Sequence, residues 1–277
     1  MSGRQNNFLA QALQEASMAL RMKQFDRARQ LAAEVLKSNR TDRNAVLILA
    51  HALIGQDRAG EAVVPLEKAV RRSTDAEIET LLGAALCGSR RSADGIEQLR
   101  RTAARRPPYL PAFRELAGQL AKAGQLNEAI KTIENGLTLA PESIDLKLDL
   151  GRLFLQNNER ANARASLTVA RDAAPGRPDI LTELGLVLLL DGEYAAAADV
   201  FRHAVALRPE DTLSRVNLAV CLLEMGERDG GETTLRAALR GRPYMFGRTA
   251  YALAASSHGR FFFRPSAAAK FLERDAI

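Results

Sequence analysis

Tryptophan is absent from this chain, and aromatic residues together reach only 5%. Two cysteines, Cys87 and Cys221, are too few for a disulfide framework, so a reducing compartment is expected. With three histidines and no clustered cysteine, no metal site is expected. Long apolar runs are also missing. Ala45–Ile54 is broken by His51, and Leu184–Leu190 is shorter still. Both fall well below the roughly 20 residues that span a bilayer, so a membrane is not among the expected partners. No apolar stretch follows Arg4, so no secretory leader is expected and the expected location is the cytoplasm. The GxxxxGK[ST], GxGxxG, HExxH, GxSxG and CxxC patterns are all lacking. The reading is therefore of no enzyme, no catalytic residue and no cofactor.

What is present is apolar and helix-forming. Hydrophobic residues make up 47% of the 277 positions, mostly Ala and Leu, which favour helices over strands. That content excludes a disordered chain. Lys and Arg number 39 against 33 Asp and Glu, a net charge of +6. The abundance of Ala and Arg hints at a bacterial source.

Half of the ten prolines share one spacing: Pro107, Pro141, Pro175, Pro209 and Pro243 lie 34 residues apart. Gly83, Ala117, Gly151, Gly185 and Ala219 keep the same step, as do Gly95, Ala129, Ala163, Ala197 and Gly231. Within one period, Leu181, Leu184, Gly185 and Leu188 lie on one helical face. A turn follows at Asp191-Gly192, and Ala197, Phe201 and Ala204 mark a second helix. Neither helix can bury its stripe alone, so successive units must stack.

The chain resembles the tetratricopeptide repeat family at these positions. Residues 144–177 carry Leu150-Gly151, Phe154, Ala163, Leu167, Ala170 and Pro175 in the family's order. Residues 76–109, 110–143, 178–211 and 212–245 follow the same order. Residues 43–75 are one residue short and lack the proline, and Pro65 is expected to kink their second helix. Residues 9–42 have Glu15 where Leu is usual, as suits a polar capping repeat. The family's aromatic near the start of the first helix is mostly replaced: Val46, Glu79, Lys147 and Arg215 stand there. The expected architecture is an all-α solenoid of seven repeats over 9–245. A tail at 1–8 precedes it. A capping helix at 246–258 follows, with Ala250, Leu253 and Ala254 inward, and then a tail at 259–277 in which Ser266 caps a short helix that ends at Arg274.

The resemblance implies a right-handed superhelix whose first helices line a concave groove that takes peptides or helices. Projected onto that groove, Glu115, Asp149, Glu183 and Asn217 repeat at one place, with Asp145 and Asp179 near the helix starts. Arg152 and Arg114 interrupt the acidic stripe. Leu148, Leu155, Leu186, Leu189, Leu190, Val216, Val220 and Leu223 form an apolar floor. The two aspartates also have a plain explanation, since acids suit helix N-termini. The family's dicarboxylate clamp is missing, because Thr182 and Leu186 replace its cations and only Asn217 fits. The asparagine ladder of its sugar-transferase relatives is missing too.

Such a groove suits a basic, apolar segment of another protein. The chain has one of its own in Phe261, Phe262, Phe263 and Arg264, followed by Lys270-Phe271-Leu272. This tail either enters the groove, here or in a second copy, or packs on the final helix as a cap. The functional expectation is a protein-interaction scaffold or adaptor. The alternative is a non-catalytic docking or regulatory subunit of an enzyme complex. RNA binding through Arg71-Arg72, Arg90-Arg91, Arg100-Arg101 and Arg105-Arg106 is disfavoured, because only Tyr109 is at hand for stacking.

Overall fold

A computed structural model describes residues 2–273, with side chains from Phe8 onward. Among these residues there are helices and turns but no strand. The helices form two compact units, residues 1–141 and 142–277.

The first unit holds four helix pairs. These are α1 (Ser2–Arg21) with α2 (Phe25–Ser38), α3 (Arg43–Gly55) with α4 (Ala59–Val70), α5 (Ala76–Gly88) with α6 (Ser92–Ala103), and α7 (Leu110–Lys122) with α8 (Leu126–Leu139). The second unit holds α9 (Ile144–Gln156) with α10 (Arg160–Ala173), α11 (Pro178–Leu190) with α12 (Tyr194–Leu207), and α13 (Thr212–Glu224) with α14 (Arg228–Leu239). A 3₁₀ turn (Pro243–Met245), α15 (Phe246–Ala255) and α16 (Pro265–Leu272) complete it. In each unit consecutive helices pack together. First helices also pack on first helices: α1 on α3, α3 on α5 and α5 on α7, then α9 on α11, α11 on α13 and α13 on α15.

Local chemistry explains the boundaries. Asp42, Asp75, Ser143 and Asp211 accept hydrogen bonds from the first free N–H groups of α3, α5, α9 and α13. Proline opens α7 and α11, where a missing N–H does no harm. Every pair reverses through a residue with positive φ: Lys23, Asp57, Arg90, Gly124, Asn158, Gly192 and Gly226. The next residue then donates back across the helix end, as Glu193 N–H does to the Leu188 carbonyl at 2.9 Å. Only three of these seven positions hold glycine, the residue that enters this conformation without strain.

The recurring small residues set how closely paired helices approach. A methyl group added at Gly185 would sit 2.8 Å from the Phe201 ring, and one at Gly151 would sit 2.5 Å from Leu167 Cγ. Phe201 and Leu167 fill those spaces and are fully buried. They share a core with Leu148, Ile180, Leu184, Leu222 and Cys221, whose thiol burial pushes up to about 12. The first unit has its own core around Val46, Leu53, Leu66, Ile78, Leu82 and Leu86.

Several expectations need correction. Residues 2–8 are not a tail but the start of α1, while residue 1 lies outside the described residues. The capping helix ends at Ala255; Leu253 and Ala250 pack on the core as expected, joined by Thr249 and Ala252, but Ala254 is exposed. Helix α16 begins at Pro265 with Arg264 at its cap, so Ser266 is inside the helix. Its expected end at Arg274 lies outside the described residues. The polar residues at the usual aromatic place are bonded: Glu79 accepts from Arg105 at 2.6 Å, and Arg215 donates to the Pro209 carbonyl at 2.6 Å.

Candidate functional site

The first helices of the second unit place the candidate residues on neighbouring faces. Asp149 and Arg152 stand on α9, Glu183, Leu186 and Leu190 on α11, and Asn217 and Val220 on α13. A polar seam locks α11 to α13. The Thr182 and Ser214 hydroxyls meet at 2.8 Å, and Ser214 donates to Asp211 at 2.8 Å. Ser214 is wholly buried, so this seam fixes where Glu183 and Asn217 sit.

The acidic stripe is not bare. Arg152 donates to Glu183 at 2.8 Å and lies 3.7 Å from Asp149, so one guanidinium bridges two repeats. Arg177 forms a second bridge, between Asp145 and Asp179, reaching the latter at 2.6 Å. The hydrogen bonds from Arg177 hold the Asp179 carboxyl below its ordinary range, with burial opposing them. Between them Arg152 and Arg177 engage Asp149, Glu183, Asp145 and Asp179. Glu115, on α7 of the first unit, accepts from Gln119 at 2.7 Å.

The apolar floor divides. Leu148, Val216 and Leu223 are buried in the core and cannot touch a ligand, which overturns their place in the groove. Helical periodicity puts them on the stripe shared with the neighbouring repeat, where stacking covers them. Leu155, Leu186, Leu189 and Val220 are half-buried, and Leu190 is 50% exposed. The accessible surface is thus a narrow ridge centred on Leu186 and Leu190 beside Glu183.

Residues 260–272 pack on the end of their own unit. Helix α16 contacts α14 and α15 and, among the described residues, no first helix of the repeats. Glu232, on α14, is the anchor. Its buried carboxylate accepts from Arg260 and lies 3.4 Å from Arg236. Both guanidiniums lie over the Phe271 ring, at 4.7 and 5.1 Å. Phe262 packs against Phe271 with ring centroids 5.3 Å apart. Phe261 and Phe263 stay outside, 70% and 95% exposed.

The arginine pairs of the first unit are half neutralised. Arg91, Arg100, Arg101 and Arg105 face Glu67, Glu128, Glu97 and Glu79. Glu232, Arg177 and the Thr182–Ser214 seam were missed from sequence. Only Arg177 left a signal, since Asp145 and Asp179 recur 34 residues apart with Arg177 between the repeats. No group of His, Cys, Asp or Glu among the described residues is arranged to hold a metal, and no helix is long and apolar enough to cross a membrane.

Two tetratricopeptide-repeat family profiles match the chain, one over residues 13–77 and 148–212 and the other over 188–243. Cellulose synthase operon protein C of Komagataeibacter xylinus is 36% identical over 94 residues, covering 34% of this chain and 7% of that protein. The peroxisomal targeting signal receptor of Yarrowia lipolytica is 30% identical over 165 residues, 56% of this chain and 28% of that protein. The chain thus spans far less than two thirds of either relative. The structure of PilF from Pseudomonas aeruginosa superposes with a TM-score of 0.60 at 19% identity, covering 73% of this chain and 92% of that one. At that identity the likeness is one of fold.

Proposed function

Because the chain belongs to the tetratricopeptide repeat family, we propose that it is a non-enzymatic scaffold that captures a basic, apolar peptide or helix of another protein. The capture surface is the ridge of Glu183, Leu186, Leu190, Asn217 and Val220, with Asp149 and Arg152 alongside. One observation carries this reading: Leu190 is half exposed beside the acidic band of Glu183 and Asp179. An apolar side chain of the partner covers Leu190 and Leu186, and a cation competes for Glu183 or Asp149. The polar seam holds the helices still, so little ordering accompanies binding. One relative is by name a receptor for a targeting signal, which accords with capture of a segment. The cytoplasm is the proposed setting.

The test is affinity capture from nuclease-treated source lysate, comparing the protein with an E183K/L190D double variant. Leu190 is half exposed and Glu183 is joined to Arg152, and circular dichroism of the variant checks that the helices are kept. A stoichiometric protein partner that the variant loses at least about tenfold, equivalent to 1.4 kcal/mol, is the expected result. Equal recovery by both proteins, or loss of all bound material after nuclease, overturns the reading.

A further inference from the structure

The chain's charge is concentrated at its C-terminal end. Between Glu232 and Glu273 there is no Asp or Glu, but there are seven Lys and Arg. The remaining chain has 32 cations and 33 acids, so this stretch accounts for the whole net charge of +6. Two of its arginines, Arg236 and Arg260, are engaged by Glu232. Among the described residues, no carboxylate pairs with Arg242, Arg248, Arg264 or Lys270.

The same stretch exposes aromatic surface. Within the repeats, Phe113 is 6% exposed and Phe201 0%, and Phe25 and Phe154 are half-buried; Phe8 near the start of α1 is exposed. Phe261 and Phe263 instead project from the loop before α16 and pack on each other edge to face, centroids 5.4 Å apart. The loop is not loose. Arg260 and Phe262 pin it to Glu232 and Phe271 on either side of Phe261. Two rings are therefore held out of the protein as one apolar knob, with the unpaired Arg264 directly after them and Lys270 on the following helix.

We infer that this cap is a docking surface for an anionic lipid bilayer. Phenylalanine has no polar tip, and a paired knob of two rings fits the boundary between headgroups and acyl chains. Unpaired guanidinium and ammonium groups beside it meet lipid phosphates and the negative surface potential. No spanning helix is needed for attachment of this kind, so the shortness of the apolar runs does not bear on it. A second copy meeting cap to cap fits less well, because both caps present cations and Glu232 is already held by Arg236 and Arg260. For stacking on single-stranded nucleic acid, the edge-to-face pair offers less ring face than two separate rings would. This inference does not rest on the proposed capture ridge.

The test is co-sedimentation of the whole protein with phosphatidylcholine vesicles, alone or with about one third phosphatidylglycerol. The expected result is sedimentation with the anionic vesicles alone, released at about 1 M salt, where the Debye length is about 3 Å. F261S/F263S is expected to lower partitioning at least about tenfold without moving the thermal midpoint, since both side chains are outside the core. R264E/K270E, at two exposed positions, supplies a second variant with the same expected loss. No sedimentation with anionic vesicles, or equal sedimentation of wild type and both variants, overturns the inference. So does a fall in oligomeric mass of F261S/F263S, or a loss of oligodeoxythymidine binding in that variant, when vesicle binding is absent.

Discussion

The repeats of the second unit and the cap that closes it use the same residue types in opposite ways. In the repeats, Phe201 is buried against Gly185, and Arg152 and Arg177 each bridge two carboxylates. In the cap, Phe261 and Phe263 stand in solvent, and Arg242, Arg248, Arg264 and Lys270 face no acid among the described residues. The repeats bury Phe201 and bridge these carboxylates internally, although Leu190, Val169, Leu207 and Leu213 stay about half exposed. The cap is satisfied only on the side that touches α14. Composition therefore says less about role than whether a residue's partners are already in the chain.

The widest gap is expected in denaturation. Phe201→Ala empties a packed site and should cost about 3–5 kcal/mol by urea titration. Phe263→Ala should stay within about 0.5 kcal/mol. Similar losses at both positions would erase the distinction.

A smaller effect tests the turns. Arg90 has φ 64°, a conformation that costs a side-chain-bearing residue about 1–2 kcal/mol, against about 0.5–1 kcal/mol of extra chain entropy for glycine. Arg90→Gly should raise the urea midpoint modestly and leave vesicle binding unchanged. A lowered midpoint would show that the Arg90 side chain contributes a contact of its own.

The smallest effect concerns the bridges. Hydrogen bonds from Arg177 hold the folded Asp179 carboxyl below its ordinary value. Its stabilisation is thus complete above about pH 4 and is lost as the pH falls through the lowered folded value. In Asp179→Asn, the acid-induced fall of the urea midpoint should shrink by an amount typical of half-exposed pairs, about 0.2–1 kcal/mol. An unchanged acid profile would mean the bridge adds no net stability.

Much of this architecture was legible because its causes are local and periodic. Small residues at one step and prolines closing five of the units act within a few residues, and their repetition makes the pattern hard to miss. The errors came where neighbours decide. Leu148, Val216 and Leu223 sit at groove-facing places in a single repeat, yet the adjoining helix covers them. Ala254 continues the helical stripe of α15, but the packing of α15 buries Ala252 instead. The acidic stripe was visible as types and spacing, whereas its bridging by Arg152 and Arg177 depends on how far a guanidinium reaches across two repeats.

From the sequence alone follow the helix-pair repeat, its length, its turns and the family. Each of these is specified by residues a few positions apart, repeated often enough to be read without coordinates. Which leucines are covered, which carboxylates are already paired, and that Glu232 holds the loop so that Phe262 goes in while Phe261 and Phe263 stay out were decided only by the tertiary structure. Those outcomes depend on distances between residues about thirty positions apart, set by helix stacking rather than by any local preference.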